Sequence, residues 1–196
     1  VTPIRRDEIL GLAEYETIRP PFRARVIGEK KRRRVAVGPR ASLLFENRDT
    51  VLMQIQEMLR TERITREAAI VHEIDTYNAF IPGECELSCT LMFEIDDKEA
   101  REAFLVAARG IEDAVAIVIG GEKHHGKTTP DRILADRASA LIYLKIPIGE
   151  RGVTALRTTA KGSESIGVAI TIEHPAYRAS CDLSREVVAS LAEDFP

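Results

Sequence analysis

The sequence predicts an α+β protein, with a mixed or mainly antiparallel sheet and helices packed on one side. Three observations predict it. Short apolar runs rich in β-branched residues recur through the second half, and turn residues separate them. Stretches of helical period concentrate in the first half. The strands are joined by short turns rather than by a repeated strand-helix-strand order, which disfavours an all-parallel sheet.

From the N-terminus, Asp7 and Glu8 precede Ile9, Leu10, Leu12 and Tyr15, a spacing that suits a short helix with acids at its positive end. Pro20 and Pro21 are expected to interrupt it. Phe22, Val26 and Ile27 then suggest a second, cationic helix, weakened by Gly28. Arg34 to Glu46 reads as a hairpin turned at Gly38-Pro39. Asn47, Asp49 and Thr50 offer N-cap oxygens to a helix whose apolar face is Val51, Leu52, Ile55, Met58 and Leu59. Another helix is expected from Thr65 to near Asn78.

The second half reads as a strand over Glu84 to Ile95, a helix over Asp97 to Arg109 and a buried strand over Ala114 to Ile119. Gly120 to Arg137 reads as an exposed loop. Ser139 to Ile146 is a strand and Gly149 to Thr158 a short helix. Ile166 to Ile172 pairs with Ala176 to Leu183 across a Pro175 turn, and Arg185 to Ala192 is a terminal helix. The expectation is one domain over residues 1–196, its helical and basic part (1–80) continuous with a strand-rich part (84–196).

Composition narrows the function classes. Apolar residues make up 44% and charged residues 30% of the 196, enough for a substantial core beneath an ionic surface, alone or as a homo-oligomer. A net charge of −3 argues against a surface built wholly for phosphate backbones, and no aromatic interleaving offers base stacking, so nucleic acid is not an expected partner. Apolar runs such as Ala114 to Ile119 are far shorter than the ~20 residues of a membrane span. Val1 to Leu12 lacks the apolar stretch of a secretory signal, so a cytoplasmic location and no membrane partner are expected.

Three cysteines do not make a disulfide framework. On one strand, Cys85 and Cys89 would stand roughly 13 Å apart at about 3.3 Å per residue, too far for a bond or a shared metal. His124 and His125 are adjacent and point apart, His72 lies on a helix and His174 at a turn. No metal and no cofactor is expected.

The most tempting motif is Gly121-Glu-Lys-His-His-Gly126-Lys127-Thr128, which satisfies a phosphate-loop pattern after an apolar strand. Such a loop needs a helix directly behind it, and Pro130 with Asp131 to Asp136 supplies a weak one. Leu141 to Lys145 carries no acid to hold magnesium. The reading is a glycine-rich loop, not a nucleotide site.

The chief asymmetry is cationic. Arg19, Arg23, Arg25, Lys30, Lys31, Arg32, Arg33 and Arg34 place eight cations in sixteen positions of an acidic chain. That density suits phosphates, carboxylates or an acidic surface. The plainer reading is a solvated face neutralised by Glu14, Glu16, Glu29, Glu46, Asp49, Glu57 and Glu62.

In that same region, Tyr15-Glu16-Thr17-Ile18-Arg19-Pro20, Lys30-Lys31-Arg32-Arg33-Arg34-Val35, Val37-Gly38-Pro39 and Leu43-Leu44-Phe45-Glu46-Asn47-Arg48-Asp49-Thr50 form distinctive blocks. With Gln54 to Arg60, Tyr77-Asn78 and Glu173-His174-Pro175-Ala176-Tyr177, they resemble a bacterial family of uncharacterised proteins known as domain of unknown function 3501. Gly120 to Arg137 departs from that pattern. The resemblance implies no catalytic residues. It implies only an association with rubrerythrin-like proteins and iron-sulfur oxidoreductases, hence an accessory role in redox metabolism.

Two expectations follow. One is an accessory protein that docks an acidic partner, such as a redox protein, through Arg19, Arg23, Lys30, Lys31, Arg32 and neighbouring cations. The other is an enzyme or binder of a small anionic ligand, whose pocket is lined by Arg33, Glu46, Arg48, Glu57 and Arg60.

Overall fold

A computed structural model describes residues 2–128, 132–163 and 166–195. After a single 3-10 turn at Arg6–Glu8 the chain enters α1 (Leu12–Arg33), which runs directly into β1 (Arg34–Ala36) and its hairpin partner β2 (Ala41–Glu46). Two helices follow, α2 (Arg48–Thr61) and α3 (Glu67–Asn78), then β3 (Glu86–Phe93) and α4 (Lys98–Ala107). The remaining elements among the described residues are a second 3-10 segment at Ile111–Ala114, β4 (Val115–Ile119), β5 (Glu122–His125), β6 (Leu141–Pro147), α5 (Gly149–Lys161), β7 (Val168–His174), β8 (Tyr177–Asp182) and α6 (Arg185–Ala192).

The fold is α+β, and among the described residues every strand pairing is antiparallel. The strands divide into two four-stranded sheets, ordered β1-β2-β3-β6 and β5-β4-β7-β8. Alternation explains how they face each other. Leu43 and Phe45 on β2, and Leu87, Cys89 and Leu91 on β3, project inward to meet Ile117 of β4 and Ile170 and Ile172 of β7. Phe104 and Leu105 of α4, Leu156 of α5 and Leu191 of α6 complete this core. An isolated bridge between Lys127 and Lys145 links the sheets along one side.

A second apolar cluster joins Ile4 and Ile9 to Val51, Ile55 and Leu59 of α2 and to Ile70, Ile74 and Tyr77 of α3. α2 lies against the outer face of the first sheet, where Gln54 Nε2 donates to Tyr143 Oη at 3.2 Å. Its start is fixed by a reciprocal cap. Thr50 N–H donates to Asn47 Oδ1 at 2.9 Å, and Asn47 N–H donates to Thr50 Oγ1 at 3.0 Å.

Two expectations are corrected. Residues 12–33 form one helix, not two, and Pro20 and Pro21 lie inside it. A proline withholds the hydrogen bond to the carbonyl four residues back, here those of Glu16 and Thr17. All four residues are exposed, so water can take up the freed carbonyls. Within the expected loop from Gly120 to Arg137, Glu122–His125 is a strand paired with β4. Gly120 and Gly121, with φ of 58° and 87°, supply the left-handed two-residue turn that this hairpin needs.

Candidate functional site

The inward face of α1 is the starting point. Tyr15, Arg19, Phe22, Val26, Glu29 and Arg33 recur at intervals of four and three, one stripe of a helix. Half the stripe is charged, and each charge has a partner. Glu57 of α2 receives Arg19 bidentately, Nε at 2.7 Å and Nη2 at 2.9 Å, and the Tyr15 hydroxyl at 2.7 Å. The hydrogen bonds from Arg19, aided by Tyr15 and opposed by partial burial, hold the Glu57 carboxyl down at about 2. Burial and the Glu57 contact push the Tyr15 phenol well above its ordinary value.

Arg33 is wholly buried. Its Nε donates to Phe45 O at 3.1 Å, and Nη1 reaches Ser190 O at 2.8 Å and Ser190 Oγ at 3.2 Å. Nη2 meets Glu46 O at 3.3 Å and the carboxylate of Asp194. These contacts occupy all five donors of the guanidinium, tying α1 to β2 and to the C-terminal segment. Burial pushes the Asp194 carboxyl up to about 6, although the charge of Arg33 pulls the other way. Arg33 is therefore an internal anchor.

The other residues of the expected anion pocket are dispersed. Glu46 is buried and accepts from the hydroxyls of Thr90 at 2.7 Å and Thr50 at 2.5 Å. Arg48 binds Glu8, at 2.5 Å in the shorter contact, and Thr2 O at 2.9 Å, fastening the N-terminal segment. Arg60 pairs with Glu16 at 2.5 Å. Five side chains thus serve separate contacts, and Arg48 borders a cleft of about 210 Å³ with Asn47, Asp49 and Asp194.

The cations at the end of α1 differ. Arg25 is engaged by Asp49, and Arg32 by Glu29 at 2.6 Å and Glu193 at 3.4 Å. Among the described residues, Arg23, Lys30 and Lys31 have no carboxylate within ion-pair range. Arg23 and Lys30 lie two turns apart on one face, with Lys31 beside them. The negative end of the helix dipole favours Lys30 to Arg33 where they stand. Next to them opens a cleft of about 430 Å³, with Lys31, Arg32 and Arg34 on one wall and Asp182, Ser184 and Glu186 on the other.

Beyond the turn at Gly121, the phosphate-loop match runs as strand β5 and its extension to the Lys127 bridge. Gly126 N–H donates to Val115 O at 2.9 Å, and Lys127 exchanges two bonds of 2.8 Å with Lys145. Amides committed to a ladder do not wrap a phosphate. Thr129, Pro130 and Asp131, which follow the match, lie outside the described residues. His124 and His125 fall on successive positions of β5 and so on opposite faces, while His174 Nε2 sits 3.1 Å from Arg109 O. Cys85, Cys89 and Cys181 are free. Cys89 is fully buried, and that burial, followed by the charge of Glu46, raises its thiol far above the ordinary range. Among the described residues no group of three or more His, Cys, Asp and Glu side chains is placed to hold a metal ion.

Asp194 and Ser190 escaped the sequence reading. The available signal was that Arg33 falls seven residues after Val26, on the inward stripe, where a cation needs a buried acceptor.

These features define an α+β protein of two facing antiparallel sheets, with a long basic helix ion-paired to its neighbours on one face and open on the other. The chain belongs to the family described as Protein of unknown function (DUF3501), whose model matches residues 3–195. It is also similar, at 32% identity and a TM-score of 0.89 over 100% of both chains, to the crystal structure of a novel protein of unknown function from Burkholderia pseudomallei K96243. No curated protein matches it.

Proposed function

We propose that this protein is a cytoplasmic accessory module that docks an acidic protein surface through Arg23, Lys30 and Lys31, with Arg32 at their margin. A redox protein of the rubrerythrin-like or iron-sulfur class is the partner that the family resemblance favours. One observation carries the reading. Carboxylates of the chain engage Arg19, Arg25, Arg33, Arg48 and Arg60, whereas among the described residues Arg23, Lys30 and Lys31, in the C-terminal half of α1, have none, Arg23 and Lys31 being exposed and Lys30 half-buried. Unpaired charges on a rigid helix steer an oppositely charged partner and set its orientation, and salt screens them.

The test is titration of a purified rubrerythrin-like protein against the wild type and R23E/K30E/K31E. Affinity at low ionic strength is expected to fall about tenfold or more in the variant, and to fall with added salt in the wild type. Equal, salt-insensitive binding by both would remove the proposal. No helix among the described residues is long and apolar enough to cross a bilayer.

A further inference from the structure

We infer that the cleft bordered by residues 132–139, β6 and the second 3-10 segment binds a free α-amino acid with an apolar side chain. The inference stands apart from the docking helix and uses none of its residues. The cleft holds about 330 Å³ and is lined by Glu112, Arg132, Arg137, Ile142 and Tyr143, with apolar residues between them. Its walls are fixed. Ala138 N–H donates to Leu105 O at 2.8 Å and Phe93 N–H to Ala140 O at 3.0 Å, which fastens this stretch of chain to α4 and to β3. Glu112 stands in the 3-10 turn beside Ile111, which is wholly buried, and Asp113 N–H closes that turn on Gly110 O at 3.2 Å.

Two opposite charges in this cleft lack an ion-pair partner. Glu112 is only 7% exposed, yet among the described residues no basic side chain comes within ion-pair range of it. None of the residues outside the described set carries a basic side chain. A carboxylate this buried calls for a cation or for hydrogen-bond donors. Arg137 does not supply them, since its guanidinium is engaged by Glu102. Arg132 holds the second charge. Its guanidinium lies 4.6 Å from the centroid of the Phe80 ring and 5.5 Å from that of Tyr143, and the two rings stack at 4.0 Å. Stacking occupies the face of a guanidinium and leaves the donors along its edge. Among the described residues no carboxylate comes within ion-pair range of Arg132.

The complement of one carboxylate and one guanidinium on the same cleft is a zwitterion. Glu112 and Arg132 are too far apart to pair with each other, whereas a sphere of the cleft's volume is about 9 Å across. An ammonium donating to Glu112 and a carboxylate accepting from Arg132, each at about 2.8 Å and both attached to one carbon, span roughly 8 to 9 Å. The remainder of the ligand is set by Ile133, Leu134 and Leu141, which are 47%, 43% and 50% exposed and line the same cleft beside buried Ile142. They are half of the large apolar side chains exposed among the described residues, and their concentration here offers contact to an apolar side chain.

The probe is L-leucine, titrated into the full chain by calorimetry and by NMR of the backbone amides. Saturable binding is expected, with shifts at Glu112, Arg132 and Tyr143. Isocaproate, which lacks the amine, and L-leucinamide, which lacks the carboxylate, are each expected to bind at least about tenfold more weakly. E112Q is expected to keep the wild-type circular dichroism and to lose the preference for leucine over isocaproate while retaining the preference over leucinamide. R132Q is expected to do the reverse. R23E/K30E/K31E is expected to bind leucine as the wild type does, which separates this site from the docking helix. Absence of saturable leucine binding by the wild type would overturn the inference, and so would equal binding of the three probes, whatever the variants do. Leucinamide held as tightly as leucine and lost in E112Q would assign the cleft to a lone amine, such as a lysine side chain of another protein, and overturn the zwitterion too.

Discussion

Arg33 and Lys31 stand two residues apart in one run of cations, yet one is wholly buried and the other exposed. Their fates follow from helix phase, because position 33 falls on the stripe of Tyr15 and Val26. A buried guanidinium with every donor occupied is costly to remove, since its acceptors and Asp194 would be stranded. R33M is expected to lose about 3 to 5 kcal/mol in urea unfolding, and R33M/D194L to recover part of that, because the second change removes the stranded carboxylate. Glu57 provides a pH signature. Its folded value of about 2 lies below the ordinary carboxylate value, so its contribution is complete above that ordinary value and lost as pH falls toward 2. E57Q is expected to cost about 2 kcal/mol or less at neutral pH and to flatten the acid limb of stability over that window. A mutant whose acid limb matches the wild type would show that Arg19 and Tyr15 contribute nothing through this carboxylate.

At the scale of the element, α1 shows how packing overrides a local breaker. Two adjacent prolines forfeit backbone bonds, but the ion pairs of Arg19 and Arg25 to α2 span them and hold the helix in register. The double variant P20A/P21A is expected to be more stable by about 1 to 3 kcal/mol, read as a higher thermal midpoint with unchanged helical circular dichroism. β5 shows the converse. Glu122-Lys123-His124-His125 contains no apolar residue, so periodicity could not find a strand there. The Gly120-Gly121 pair after an apolar strand was the legible signal, because both positions require positive φ. Elsewhere chain-local rules sufficed, and α2 begins where its Asn47 cap and apolar spacing place it.

At the scale of the whole molecule, the two sheets are joined by few polar contacts. The Lys127–Lys145 bridge closes one side, and on the other the Tyr177 hydroxyl reaches Val37 O from β8. Y177F is expected to lose about 1 to 2 kcal/mol and to speed amide exchange in the β1–β2 hairpin, since the buried carbonyl of Val37 loses its donor. Unchanged exchange there would mean that apolar packing alone holds the edges together. The sequence by itself determined the α+β class, the order of most elements, the β1–β2 and β7–β8 hairpins and the presence of a cationic run, because period, caps and turns act between neighbours in the chain. Only the tertiary structure decided that the strands form two sheets, that α1 passes through its prolines, and that Arg33 is an anchor while Arg23, Lys30 and Lys31 have no carboxylate partner among the described residues. The carboxylates that make this division, Glu57 and Asp194, reach their arginines across 38 and 161 residues of chain. A pairing over such separations exists only once packing has brought its elements together.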